Sequence, residues 1–393
     1  MVPSERSLLL GVILVIFIVA GELFGAISLP TTSVKADVSI SSALCFGAAI
    51  TLGPMGALVV GVSKLAVEMY RRITPMKLAF NVSSYFITTF ATGLAYVAVA
   101  DPHSSIIANP TNLLAAALAV LVFNVMNFSL AAAIFSQVAS TSPLEMWIAL
   151  ARGNVFTILT LPTLGMLVPI LAQEQPLAIL LMVVPLIGPY LSLRSYSQIH
   201  LETRRTVERL AGMLDQRDPT TARHSRRVAD YVEQILGEMD ELTFEQREAI
   251  LIAAPVHDIG KIGTSDLVLQ KPGKLTDEER DHINRHAADG GDILSNLSLY
   301  RHAAVIVRHH HERWDGKGYP DGLAGETIPI GARVIAVADT FDAMTTDRPY
   351  RAGLTPQRAL EEIQRCAGTQ FDPRVAEIFL RLMSCYRPAV ELP

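Results

Sequence analysis

Eight of the ten histidines in this 393-residue chain fall within one stretch of 88 residues. They are His224, His257, His282, His286, His302, His309, His310 and His311. No cysteine lies among them, so the stretch is typical of a metal site built from imidazole and carboxylate. Such ligands suit iron, manganese, zinc or nickel better than a structural zinc site built on cysteine.

The adjacent pair His257 and Asp258 is the feature of the sequence that most strongly indicates metal chemistry. The chain runs His-Asp-Ile-Gly-Lys-Ile-Gly over 257–263. The imidazole can bind one metal while the carboxylate bridges two, and a two-metal centre lowers the pKa of a trapped water and clamps phosphoester oxygens. We expect Gly260 and Gly263 to allow close backbone approach, and Lys261 to offer a cation to phosphate.

Two further clusters follow the 257–263 motif in a fixed order. Residues 309–320 run His-His-His-Glu-Arg-Trp-Asp-Gly-Lys-Gly-Tyr-Pro, and Asp339 precedes the run Asp-Arg-Pro-Tyr-Arg over 347–351. Together these motifs resemble the HD-GYP family, a branch of the HD metal-dependent phosphohydrolases, over residues 205–385. The resemblance implies an all-helical domain that hydrolyses the bacterial messenger cyclic di-GMP to linear pGpG or GMP.

The resemblance also implies a set of metal ligands. Two divalent ions, iron or manganese, would be held by five imidazoles and two carboxylates: His224, His257, Asp258, His286, His310, His311 and Asp339. Some family members carry a glutamate for a third metal where this chain has Thr220, so we expect two ions. Asp258 would bridge them.

Other residues acquire roles from the same resemblance. Asp258 and Lys261 would be catalytic, with Lys261 also binding the scissile phosphate. Arg313, Tyr319 and Arg348 would contact the substrate. The loop of Gly318, Tyr319 and Pro320 would contact a protein partner, for which a GGDEF-type domain is the candidate.

Charge divides the chain into two unlike halves. Residues 1–195 hold 15 charged side chains, and 196–393 hold the other 56. Because a membrane-spanning helix needs about 20 apolar residues, the first half predicts a polytopic helical bundle. Its spans lie near 7–29, 40–70, 78–100, 112–138, 153–172 and 176–193, and Gly53-Pro54 interrupts the second. The net charge of -5 argues against a nucleic-acid polymer as partner.

Lysine and arginine in short loops predict the orientation of the bundle. Six spans place most of them on the cytoplasmic side, with Lys35 as the exception: Arg6, Arg71, Arg72, Lys77, Arg194, Arg204 and Arg205. The predicted division is a transmembrane sensor bundle over 1–195, a helical linker over 196–220 and the HD-GYP domain over 221–393. The chain is thus expected in the bacterial inner membrane, with its catalytic domain in the cytoplasm.

The sequence is compatible with more than one interpretation at three places. In the linker, Tyr196, Ile199, Thr203, Thr206, Leu210 and Met213 recur at spacings of three and four, which fits a short homodimer helix or an ordinary connecting helix. Glu22 fits a ligand site or an interhelical bond. The catalytic half fits hydrolysis of cyclic di-GMP, hydrolysis of another cyclic dinucleotide, or a receptor or scaffold that binds without cutting.

Overall fold

The computed structural model describes residues 5–28, 37–139, 141–153, 155–217, 224–271, 273–347 and 352–385. The chain divides into two compact units, Met1–Ile199 and His200–Pro393. Regular structure in the described ranges is almost entirely helical. The exception is a pair of short antiparallel strands, β1 (Ala26–Ser28) and β2 (Asp37–Ser39). The all-α prediction is therefore confirmed.

The first unit is built from apolar helices. They are α1 (Glu5–Gly25), α2 (Ser41–Leu52), α3 (Gly56–Tyr70), α4 (Pro75–Val99), α5 (Pro110–Val138), α6 (Pro143–Gly153), α7 (Val155–Gly165), α8 (Leu167–Glu174) and α9 (Val183–Arg217), which continues into the second unit. Five stretches of the described residues are long and apolar enough to cross a membrane: Glu5–Gly25, Ser41–Tyr70, Pro75–Val99, Pro110–Val138 and Pro176–Leu214.

One of the six spans predicted from the sequence covers 153–172, but in this region α7 and α8 are separate helices. The proline ring at Pro169 clashes with the carbonyl four residues earlier in a continuous helix, which here belongs to Gly165. The break at Met166 relieves that clash. Each piece is then too short to count as a full spanning helix.

The predicted interruption at Gly53-Pro54 is confirmed. A 3-10 turn at Gly53–Met55 separates α2 from α3, and Gly53 has a φ of 57°, a left-handed conformation that favours glycine. A Cβ on Gly56 would lie 2.4 Å from the carbonyl oxygen of Ala48, so the start of α3 folds back onto α2. The region 41–70 is therefore a helical hairpin rather than one crossing.

The hairpin changes which helix ends lie together. Arg71, just after α3, donates to the carbonyl oxygen of Glu22 at 2.7 Å, near the end of α1. Arg6, near the start of α1, donates to the carbonyl oxygen of Ala172 at 2.9 Å. Arg6 thus lies at the opposite end of α1 from Arg71. The prediction that Arg6 lies on the same side as the other basic residues is therefore wrong. It counted 40–70 as one crossing, whereas the hairpin over 41–70 returns to the side from which it starts.

The hairpin also affects the prediction for Lys35, the exception to the predicted orientation. Lys35 itself lies outside the described residues. Strand β1 directly follows the end of α1 where Arg71 binds, and β2 directly precedes α2. The strands that flank Lys35 are therefore at the Arg71 end of the unit.

Glu22 is held by groups from two other helices. Its Oε1 lies 2.5 Å from Nζ of Lys64 on α3 and also accepts a hydrogen bond from the Ser41 hydroxyl on α2. Glu22 is 4% exposed and Lys64 2% exposed. Because the carboxylate is already satisfied by the protein, the interhelical interpretation of Glu22 is the better one.

The second unit contains nine further α-helices in the described residues. They are α10 (His224–Gly237), α11 (Phe244–Ala253), α12 (Asp266–Leu269), α13 (Asp277–Asn284), α14 (His286–Ser295), α15 (Arg301–His309), α16 (Ile330–Thr345), α17 (Pro356–Cys366) and α18 (Pro373–Cys385). The predicted capping box of Thr276 and Glu279 is confirmed at the start of α13. The helix expected to continue from there through His286 is divided at Arg285 into α13 and α14.

One apolar core holds the second unit together. It buries the predicted face of α10, including Val228 and Val232, against α11, α16 and α18. Three residues of α9 belong to the same core: Val207, Ala211 and Leu214. The part of the predicted linker that lies in this unit is therefore packed onto the domain along one face.

Candidate metal centre

The seven predicted metal ligands come from separate elements that meet at one place. His224 begins α10, and His286 begins α14. His257 and Asp258 lie between two 3-10 turns, Ala254–Val256 and Ile259–Gly263. The remaining three are His310 and His311, just after α15, and Asp339 within α16.

Their ligand atoms form two groups. One consists of Asp258, His286, His310 and His311, the other of His224, His257 and Asp339, and within each group the atoms lie within 4.8 Å of one another. Asp258 faces both groups: its Oδ1 lies 3.2 Å from Nε2 of His286, and its Oδ2 lies 3.6 Å from Nε2 of His257. This is the arrangement that a carboxylate bridging two ions requires.

Three imidazoles are oriented for metal binding by the backbone. Nδ1 of His257 lies 2.9 Å from the carbonyl oxygen of Ala254, Nδ1 of His286 lies 2.7 Å from that of Ile283, and Nδ1 of His310 lies 2.5 Å from that of Val307. Each carbonyl accepts a hydrogen bond from the Nδ1–H group, which leaves the lone pair on Nε2 free. All three Nε2 atoms are buried without a hydrogen-bond partner. Buried acceptors without a partner in both ligand groups fit bound cations.

Electrostatics also favour neutral imidazole ligands in the first group. Burial, followed by the neighbouring His286, lowers the pKa of His311 to about 3. Burial and the charge of His311 likewise hold the pKa of His310 well below its usual range. A neutral imidazole keeps the lone pair that a divalent metal needs.

His224 has the opposite tendency. Burial opposes its charged form, yet hydrogen bonds to Asp339 and Asp342 raise the pKa of His224 to about 10. Its Nε2 lies 3.2 Å from Oδ1 of Asp339. The carboxylates thus create a strongly cation-attracting position at Nε2, which a metal can fill in place of the proton.

Asp342 is a site residue that the sequence reasoning missed. It is buried, and its Oδ2 lies 2.7 Å from Nδ1 of His224. Arg227 donates to both of its oxygens, at 2.6 and 2.8 Å. A carboxylate behind a ligating histidine fixes the ring and raises its basicity. The available signal was its spacing, because Asp342 lies one helical turn after Asp339.

Some of the other predicted site residues lie at the metal centre and others do not. Nζ of Lys261 lies 2.6 Å from Oδ2 of Asp258, at the centre. The ring of Tyr319 lies 5.0 Å from that of His311, so it also borders the centre. Arg313 instead donates to both carboxylate oxygens of Asp315, at 3.0 and 2.7 Å. Arg348 lies outside the described residues.

Of the two glycines expected to allow close approach, one does so. A Cβ on Gly260 would lie 1.9 Å from the carbonyl oxygen of His286, so this position brings the 257–263 segment against α14. The nearest atom to a Cβ on Gly263 would be Oδ2 of Asp289 at 3.9 Å. The expectation for Gly263 is therefore wrong.

Residues 208–375 match the family model of the HD domain. Both groups of histidine and aspartate ligand atoms described above lie within this HD domain match.

Curated proteins with similar sequences have more specific names than the HD domain. The chain is 41% identical over 191 residues to "Cyclic di-GMP phosphodiesterase response regulator RpfG" of Xanthomonas campestris, covering 48% of this chain and 50% of that protein. It is 43% identical over 178 residues to "Cyclic di-GMP phosphodiesterase" of Thermotoga maritima, covering 45% and 48%. It is 37% identical over 180 residues to "3'3'-cGAMP-specific phosphodiesterase 2" of Vibrio cholerae, covering 45% and 34%. The chain spans half or less of the length of these relatives. The resemblance drawn from the sequence is confirmed over the HD domain.

Proposed function

We propose that this chain is a membrane-anchored, metal-dependent phosphodiesterase that hydrolyses cyclic di-GMP to pGpG, GMP or both. The observation that carries the proposal is the pair of ligand groups that share Asp258. Relatives that are 41% identical over 191 residues and 43% identical over 178 residues are named cyclic di-GMP phosphodiesterases. The seven ligands proposed are those predicted from the sequence, and the ions proposed are two of iron or manganese.

Each residue at the centre has a role in this proposal. Two bound metal ions would supply an activated water near neutral pH and would stabilise negative charge on the phosphoryl oxygens. Asp258 presents one oxygen to each ligand group. Lys261, held beside Asp258 at 2.6 Å, offers its ammonium to the scissile phosphate as negative charge builds on the phosphoryl oxygens.

The substrate contacts are proposed at the rim of the centre. Tyr319 presents a ring beside His311 on which a guanine base can stack. Arg313 could contact a phosphate through Nη1, whose bond to Gln370 is long at 3.4 Å. Arg348 stays a proposed phosphate contact. The loop Gly318–Pro320 stays the proposed contact for a GGDEF-type partner.

Localisation in the bacterial inner membrane, with the HD domain in the cytoplasm, is part of the proposal. The five apolar stretches support membrane insertion. The basic residues Arg71, Arg72 and Lys77 follow α3 and support a cytoplasmic location for that end of the bundle. The proposed domains are the sensor bundle 1–195, the linker 196–220 and the HD-GYP domain 221–393.

The test is hydrolysis by the purified full-length chain, loaded anaerobically with ferrous iron or manganese. We expect metal-dependent formation of pGpG or GMP from cyclic di-GMP, resolved by chromatography. The variant His257→Ala, which removes a buried orphan Nε2, should abolish the product. A wild-type chain that binds metal and yields no product from cyclic di-GMP would contradict the proposal.

A second candidate function is hydrolysis of 3'3'-cGAMP. Three curated relatives with 34–40% identity are named as specific for that mixed dinucleotide. Parallel assays with both nucleotides separate the two functions, because the mixed substrate replaces one guanine by adenine and leaves the scissile phosphates unchanged. Faster turnover of 3'3'-cGAMP at equal concentration would favour this second candidate.

We also propose that α9 pairs with α9 of a second copy. Leu210 is 36% exposed and Met213 53% exposed, while Val207 and Ala211 on the other face are buried in the core of the HD domain. The exposed residues continue the predicted spacing of three and four that begins at Tyr196. A second copy would cover an apolar stripe that the chain's own core does not.

Cysteine cross-linking of the full-length chain in membranes tests this pairing. We expect Leu210→Cys to form a disulfide-linked dimer under mild oxidation. Arg209→Cys is the matched control, because the neighbouring residue projects about 100° away around the helix. Equal cross-linking of both variants, or none in Leu210→Cys, would argue for a simple connecting helix.

A further inference from the structure

Glu312 directly follows the proposed ligand His311 and is buried. It is not one of the residues proposed to bind metal or substrate. Its Oε1 accepts hydrogen bonds from the backbone N–H groups of Asp321 at 2.7 Å and Gly322 at 3.0 Å. Its Oε2 accepts one from the backbone N–H of Leu323 at 3.1 Å. One carboxylate thus binds three consecutive amides on the far side of the loop that carries Tyr319.

A second clamp holds the same loop to α15. Asp321 accepts hydrogen bonds from Arg308 at 2.8 and 2.9 Å, and its Oδ2 lies 2.9 Å from Nε2 of His309. His309, Glu312 and Asp321 could in principle hold a metal ion. Here their oxygens are occupied by backbone amides and a guanidinium, so this group is better explained as an anchor for the loop.

The near side of the loop is fixed by contact with the residues that follow the ligand pair. A Cβ on Gly318 would lie 2.3 Å from the backbone nitrogen of Arg313, so the loop lies directly against this backbone. The backbone N–H of Tyr319 donates to the carbonyl oxygen of His311 at 3.3 Å. The position of the Tyr319 ring is therefore tied to the segment that supplies the ligand His311.

We propose that Glu312 is a positioning residue that holds the Tyr319 ring against His311 and so shapes the rim where the nucleotide base binds. The proposal rests on the proposed phosphodiesterase function for its effect on substrate. Three hydrogen bonds to one carboxylate are strong because the acceptor is charged. Their loss frees residues 321–323, and the Tyr319 ring then loses its fixed place.

The test is Glu312→Gln in the full-length chain, with amide hydrogen exchange as the first readout. A glutamine keeps the volume but loses the charge and one acceptor oxygen. We expect exchange at residues 319 and 321–323 to become about 10- to 100-fold faster, the range for losing a hydrogen bond to a charged group. Metal content should stay unchanged. The KM for cyclic di-GMP should rise about tenfold while kcat changes less than about threefold, as for a lost binding contact.

Glu326→Gln is the matched control, because Glu326 is exposed on the same loop region. It should alter neither exchange nor KM. Unchanged exchange at 319 and 321–323 in Glu312→Gln would overturn the proposal. Faster exchange at 321–323 alone, with Tyr319 and KM unaffected, would also overturn it. Hydrogen exchange is measured without substrate. A chain that is inactive on cyclic di-GMP would therefore refute the proposed function, while the exchange rates would still test whether Glu312 anchors the loop.

Discussion

Replacing Asp258 with asparagine is expected to lower the rate of cyclic di-GMP hydrolysis by a factor of about 10³ or more. Metal content should fall from two ions per chain to one or none. The reason is geometric: Asp258 has one oxygen 3.2 Å from Nε2 of His286 and the other 3.6 Å from Nε2 of His257, so it serves both ligand groups. An amide nitrogen in place of one oxygen cannot bind a cation. Initial rates and elemental analysis of the same sample measure the two effects.

The matched control is Asp281→Asn on the exposed side of α13, which should change neither rate nor metal content. Two ions retained in Asp258→Asn, at an undiminished rate, would refute the bridging role. A wild-type chain that binds cyclic di-GMP at the metal centre but cuts none would support the receptor interpretation. In that case Asp258→Asn should lose nucleotide binding together with metal.

Five of the seven proposed ligands stand within short motifs, whereas His224 and His286 were assigned through the family resemblance. His257 and Asp258 are adjacent, His310 and His311 are adjacent, and the structure gathers them with the remaining three into two groups. Short motifs encode local geometry, such as the Nδ1 bond from His257 to a carbonyl three residues earlier. The resemblance then supplied the long-range association that spacing alone does not contain.

The supporting residues could not be predicted in the same way, because their partners are distant in sequence. Asp342 contacts His224 across 118 residues, and Glu312 binds amides nine to eleven residues ahead through a loop of irregular backbone. Neither contact leaves a periodic pattern. Asp342 shares a helix face with Asp339, and this spacing is a signal of proximity to the centre that does not identify its partner.

The first unit shows a different limit of prediction from sequence. Hydropathy identifies apolar segments but does not say whether a segment crosses or returns. The turn at Gly53–Met55 reverses the chain, and the position of Arg6 follows from that reversal rather than from its own neighbours. The hairpin therefore places Arg6 at the other end of the bundle, while the end that carries Arg71 keeps the cytoplasmic location predicted for it.

Replacing Gly260 with alanine is expected to disrupt the metal centre from the backbone. A Cβ at this position would lie 1.9 Å from the carbonyl oxygen of His286 and 2.5 Å from the backbone nitrogen of Gly290. Both atoms belong to α14, which carries a ligand at its first residue and cannot move away without shifting that ligand. We expect the free energy of unfolding to fall by about 3 kcal/mol, the upper range for overpacking. For a unit of this size that corresponds to a fall in Tm of about 6–12 °C.

The second effect of Gly260→Ala separates it from a general loss of stability. Since the strain acts between the Asp258 segment and His286, well below Tm the folded variant should bind less metal and turn over more slowly. Gly263→Ala is the matched control, because its Cβ would meet only Oδ2 of Asp289, at 3.9 Å. It should keep the unfolding free energy within about 0.5 kcal/mol of wild type. Thermal unfolding with and without manganese measures both variants, and equal behaviour of the two would show that α14 does not lie against Gly260.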